Sequence, residues 1–142
     1  MRTIKRIILH CTASPQTQTV QEILNYWKYH NGWNDPGYHF LIEADGTVHN
    51  LLPVEKVSNG ARGYNSTSIH ISYIGGVDEN KQPIDNRTDA QIQSMIVLVA
   101  RLKLTFVDAL VIGHRDLTNV KKKCPSFDAR DWLKSIYFPN YY

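Results

Sequence analysis

Two short apolar runs lie near opposite ends of the chain, and each gives way to a histidine. Ile7-Ile8-Leu9 leads into His10, and Ala109-Leu110-Val111-Ile112-Gly113 leads into His114. Runs this short and rich in β-branched residues, bounded by turn residues, read as buried strands rather than as helices. If the two strands are parallel neighbours, their carboxyl ends lie together, where open α/β sheets place their binding crevices. Both histidines would then face one crevice, and the intervening chain must supply the crossovers that parallel strands require.

The rest of the chain fits that frame. Residues 4–11 form the first strand, ended by Ala13-Ser14-Pro15. Thr19 and Glu22 have the spacing of a capping box, and Ile23, Leu24 and Trp27 give the apolar face of a helix to about His30, stopped by Gly32. Asn34-Asp35-Pro36-Gly37 is turn chemistry, and residues 38–43 and 47–51 form a hairpin around Asp45-Gly46. Periodicity vanishes over residues 53–66, which predicts a surface loop beside the crevice. Ile69, Ile71 and Tyr73 alternate with Ser68, His70 and Ser72, predicting a half-buried strand ended by Gly75-Gly76. After a polar loop, Thr88 and Gln91 repeat the capping box ahead of Ile92, Met95, Ile96, Val99, Leu102 and Phe106, which places Met95 in the core. A last helix through Trp132, Leu133 and Ile136 is capped by Asp128 or Ser126. The order βαβββαβα implies an α/β fold, a single domain over residues 1–142 with a mixed central sheet flanked by helices in three layers.

Composition excludes several classes of function. The net charge is +3, and the lysines do not form the long basic stripe of a nucleic-acid-binding surface. No segment approaches membrane-spanning length. The basic N-terminus is followed only by Ile7-Ile8-Leu9, too short an apolar run for a signal peptide, so a soluble, unprocessed product made in the cytoplasm is expected. The chain's 2 cysteines imply no disulfide framework, since Cys11 points to the strand face opposite His10.

The densest chemistry lies in residues 111–128. His114 is followed by Lys121, Lys122, Lys123, Cys124 and Pro125. Imidazole and thiolate suit zinc, and a catalytic zinc takes three protein ligands with water in the fourth position, so His10, His114 and Cys124 make a proposed ligand set. Taken singly, each has an ordinary explanation: a hydrogen-bonded structural histidine, or a small buried thiol. Together with lysines that favour the thiolate, they point to metal. His30, His39, His49 and His70 are left unassigned. Alternation puts Tyr38 on the face of Phe40 and Ile42, and from the start of its strand its phenol could reach the crevice as a proton donor or serve as a buried structural residue.

The sequence resembles the zinc-dependent N-acetylmuramoyl-L-alanine amidases of the type-2 amidase and peptidoglycan-recognition-protein superfamily, in particular phage lysozymes of the T7 type. The matching stretches begin with His10-Cys11-Thr12-Ala13, Gly32-Trp33-Asn34-Asp35-Pro36-Gly37-Tyr38-His39-Phe40 and Asp45-Gly46-Thr47-Val48. They continue with Gly63-Tyr64-Asn65, Gly75-Gly76-Val77-Asp78, His114-Arg115-Asp116-Leu117 and Lys122-Lys123-Cys124-Pro125-Ser126-Phe127-Asp128. The resemblance implies hydrolysis of the amide between N-acetylmuramic acid and L-alanine, one zinc held by His10, His114 and Cys124, and catalytic roles for Tyr38 and Lys122. Some relatives carry a groove histidine just before Gly63-Tyr64-Asn65, where this chain reads Asn59-Gly60-Ala61-Arg62. Trp33, Arg62, Tyr64 and Asn65 are candidate substrate-groove residues, each with loop scaffolding as the alternative. The expected partner is peptidoglycan or its muropeptides, met by a monomer that acts on the wall once released. Other readings are a non-catalytic peptidoglycan-binding module, a regulatory protein-binding domain, and a cysteine hydrolase built on Cys11.

Overall fold

In the computed structural model, which describes residues 2–136, strand β1 (Arg6–Cys11) is hydrogen-bonded on both sides. The order among the described residues is β3-β2-β4-β1-β5, with β2 at Phe40–Ile42, β3 at Val48–Asn50, β4 at Ser68–Tyr73 and β5 at Leu110–Gly113. Strand β1 is parallel to β4 and β5, β2 is parallel to β4, and only the β2–β3 hairpin is antiparallel. Leu9 pairs with Gly113, so His10 and His114 leave neighbouring strands at the same end of the sheet, as the two apolar runs predict. Met1 and residues 137–142 of the expected 1–142 domain lie outside the described residues.

Helices cover both faces. Helix α2 (Asp89–Thr105) and helix α3 (Ala129–Ser135) pack on the face carrying Ile7, Leu9, Ile69, Ile71 and Tyr73, where Met95 and Leu133 are fully buried. Burying each such side chain contributes roughly 1.5–3 kcal/mol. Both expected capping boxes are present, Thr19 with Glu22 and Thr88 with Gln91, and Asp128 rather than Ser126 caps α3. Helix α1 (Val20–Asn25) lies on the opposite face, where Ile23 and Trp27 pack with Leu41 and Ile74. It is shorter than the periodicity predicts, because residues Tyr26–His30 continue as one wider π-type turn. The hairpin is likewise three paired residues on each side.

One expectation is corrected. Strand β4 is buried on both faces rather than half-buried: Ser68, His70 and Ser72 are all inaccessible. The polar alternation that reads as a solvent face instead marks a covered face, with Gly60 of the loop at residues 53–66 lying directly against His70. Arg2 ties that loop down, donating from its guanidinium to the carbonyls of Val54 (3.0 Å), Asn65 (2.9 Å) and Ser68 (2.8 Å). No helix among the described residues is long and apolar enough to cross a membrane.

Candidate metal centre

The carboxyl ends of β1 and β5 open into a cleft of about 660 Å³ whose walls include His10, Tyr38, His114, Lys122 and Cys124. His10 is the last but one residue of β1 and is 1% exposed. His114 opens a 3-10 turn directly after β5, and the Asp116 carboxylate accepts the Gly113 N–H at 2.8 Å to fix that turn. Cys124 is held beside them through its backbone, because its carbonyl accepts the Arg115 N–H at 2.8 Å. The following residues anchor its loop: the Tyr73 hydroxyl donates to the Pro125 carbonyl (2.7 Å) and the Ser126 hydroxyl to the Gly76 carbonyl (2.8 Å).

Among the described residues, His10, His114 and Cys124 form a group whose potential ligand atoms lie within 4.8 Å of one another. Tetrahedral zinc with bonds of about 2.0–2.3 Å sets its ligands roughly 3.3–3.8 Å apart. The Cys124 Sγ to His10 Nδ1 distance is 3.8 Å, at the upper end of that range. The other nitrogen of His10, Nε2, is hydrogen-bonded to His70 Nδ1 at 2.8 Å. Cys124 Sγ also accepts the Cys11 N–H at 3.2 Å, and both cysteines are free thiols.

The protonation states of the two histidines suit metal binding, while the Cys124 thiol keeps its proton against the expectation that the neighbouring lysines favour its thiolate. Burial, with help from His70, His114 and Lys122, holds the His10 pKa well below its ordinary value. Burial and then Lys122 lower that of His114 to about 4. Both imidazoles therefore offer lone pairs across the neutral range, whereas the thiol of Cys124 is held up by its hydrogen bond to Cys11 and by burial. Of the three groups, only Cys124 has a proton to lose. Zinc uptake at pH 6 is expected to release about one proton, against about two and a half for a site with two ordinary histidines. Calorimetry in buffers of different ionisation enthalpy measures that number, and a value above two contradicts the assignment.

Tyr38 reaches the cleft by a route the alternation argument misses. Strand β2 begins only at Phe40, so Tyr38 does not share the face of Phe40 and Ile42 as alternation predicts but turns to the opposite one, packing with Trp27 and Trp33. Its ring centroid lies 4.9 Å from that of His10, and its hydroxyl donates to the Cys11 carbonyl at 3.3 Å. Burial pushes its pKa far above that of a free phenol, so it stays protonated. Lys122 is exposed at the rim, and its charge is felt by both histidines and Cys124. Trp33, Arg62 and Tyr64 line the cleft. Asn65 is not among the lining residues; its side-chain oxygen accepts the Ala61 N–H at 2.8 Å and braces the loop. Sequence reasoning passed over His70. The signal was available in two strands that both end in this region, since alternation puts His70 and His10 on one face if the strands are parallel.

A family model described as N-acetylmuramoyl-L-alanine amidase matches residues 1–127. An endolysin of Klebsiella phage KP32 is 39% identical over 129 residues, covering 89% of this chain and 83% of that protein. An endolysin of Escherichia phage T7 is 38% identical over 128 residues, with 89% and 83% covered. Among solved structures, the N-acetylmuramoyl-L-alanine amidase LysC from Clostridium intestinale superposes with a TM-score of 0.79 at 25% identity, covering 95% of this chain and 86% of that one.

Proposed function

The chain belongs to the N-acetylmuramoyl-L-alanine amidase family, and from that premise we propose that its cleft uses one zinc ion to hydrolyse the amide joining N-acetylmuramic acid to L-alanine in peptidoglycan. The observation that carries this reading is the convergence of two imidazoles and a thiol at one end of the sheet, with Tyr38 and Lys122 on the walls of the same cleft. His10, His114 and Cys124 are the ligands. The site is complete within one chain, which supports action as a monomer, and residues 1–142 are read as one amidase domain.

When bound, zinc supplies a Lewis acid and a means of activating water near neutral pH. The chain's own residues do the rest. Lys122 places a positive charge at the rim of the cleft, where it meets the negative charge that develops on the scissile carbonyl oxygen. Tyr38 keeps its proton, so it acts as a donor that orients the attacking water and assists the departing amine rather than as a base. Trp33 and Tyr64 offer flat apolar surface to the substrate, Arg62 offers charge, and Asn65 braces the loop that carries Arg62 and Tyr64.

The alternative of a binding module without catalysis is less well supported, because the thiol, the tyrosine and the lysine are all present. The separating experiment is digestion of purified cell walls by the metal-loaded protein. New L-alanine amino termini are expected, lost on chelation and restored by zinc. Binding of peptidoglycan with no new amine would overturn the catalytic reading.

A further inference from the structure

We propose that His70 is a positioning residue for His10, and that it can act there because position 60 has no side chain. The inference rests on the reading of His10 as a metal ligand. His10 has one nitrogen, Nδ1, toward the Cys124 sulfur and the other, Nε2, against His70 Nδ1 at 2.8 Å. If Nδ1 is the ligand atom it carries no proton, so the ring's proton sits on Nε2 and is donated to His70. That hydrogen bond fixes both the tautomer and the tilt of the ligand ring, as the partners of metal-bound histidines generally do.

The surroundings of His70 favour this role over simple packing. Its ring is fully buried, and its Nε2 has no partner among the described residues, so the bond to His10 is the one polar interaction the ring makes there. The ring is held from beneath. The His70 N–H donates to His39 Nδ1 at 3.0 Å, the two rings stack with an interplanar angle of 2°, and His39 Nε2 donates to the Lys56 carbonyl at 2.8 Å. From above, the loop closes on His70 so tightly that a Cβ on Gly60 would lie 2.4 Å from His70 Nδ1. Gly60 is not among the residues with positive φ, so its own backbone does not demand glycine. The constraint comes from the imidazole below it, at the very atom that accepts from His10.

The test is zinc affinity, measured by competition with a chromophoric chelator, alongside thermal melting of the metal-free proteins. His70→Leu keeps the bulk and removes the acceptor, and it is expected to weaken zinc binding about ten- to a hundredfold. His70→Asn carries a polar atom close to the place of Nδ1 and is expected to recover most of that loss. Gly60→Ala displaces the imidazole and is expected to weaken binding in the same range, with little further loss when combined with His70→Leu, because both act on one hydrogen bond. Wild-type affinity in His70→Leu overturns the proposal, as does an Asn variant no better than Leu. Should the Leu protein fail to fold, unchanged affinity in Gly60→Ala overturns it instead. A wild-type protein that takes up no zinc sinks the metal-centre reading itself.

Discussion

Replacing Cys124 with alanine is expected to abolish both zinc retention and amidase turnover while leaving the fold in place. The two effects separate because the thiol and the backbone of this residue have different tasks. The loop is held by the Cys124 carbonyl, by Pro125 through Tyr73 and by Ser126 through Gly76, none of which involves the sulfur. The side chain is half-buried, packs at the edge of the core and accepts the Cys11 N–H, so its loss costs stability on the order of 1–3 kcal/mol. The proposed metal site, by contrast, would lose its one anionic ligand and keep two neutral imidazoles. Zinc-to-protein ratio after dialysis, amine release and the melting temperature of the metal-free protein measure the three quantities independently. Stoichiometric zinc in the alanine variant would show that the thiol is not a ligand.

The second large effect is expected at Lys122. Its replacement by alanine should lower turnover about a hundred- to a thousandfold, the usual result of removing one preorganised group that meets developing charge. Zinc content should be unchanged, because the lysine touches the site through its field rather than through a bond. Lys123, which is not among the residues lining the cleft, supplies the control, and its alanine variant should behave as wild type. A Lys122→Ala enzyme within a fewfold of wild-type turnover would remove this residue from the mechanism.

The parts of this molecule legible in the sequence are those set by local chemistry. Thr19 with Glu22 and Thr88 with Gln91 announce helix starts because a hydroxyl and a side-chain acceptor three residues apart satisfy free backbone donors wherever they occur. Apolar runs ending in His10 and His114 announce two buried strands, ligand chemistry joins them to Cys124, and the family resemblance singles out Lys122 from the lysine run. What sequence misses is decided by contacts between distant segments. Strand β4 looks half-buried because Ser68, His70 and Ser72 are polar, and nothing nearby in sequence says that their face will be covered. Tyr38 is placed on the wrong face because alternation was extended past the true start of β2. The chain lacks a histidine before Gly63-Tyr64-Asn65, and the structure shows an imidazole arriving beneath Gly60 from the strand below. A strand histidine and a loop glycine ten residues apart become neighbours only once β4 and the loop against it are assembled.

The position of β1 inside the sheet also sets a schedule for synthesis. The first strand made is flanked by β4 and β5, so its two hydrogen-bonding edges wait for partners that emerge from the ribosome 57 or more residues after its end at Cys11. Until Leu110–Gly113 is available, one edge of β1 stays open, and the cleft lacks His114, Lys122 and Cys124 altogether. Chains fold progressively as they are made, yet non-local parallel pairing is slow to form. The proposed metal centre therefore cannot assemble before Cys124 has been made, and a chain cut short ahead of it lacks part of the ligand set.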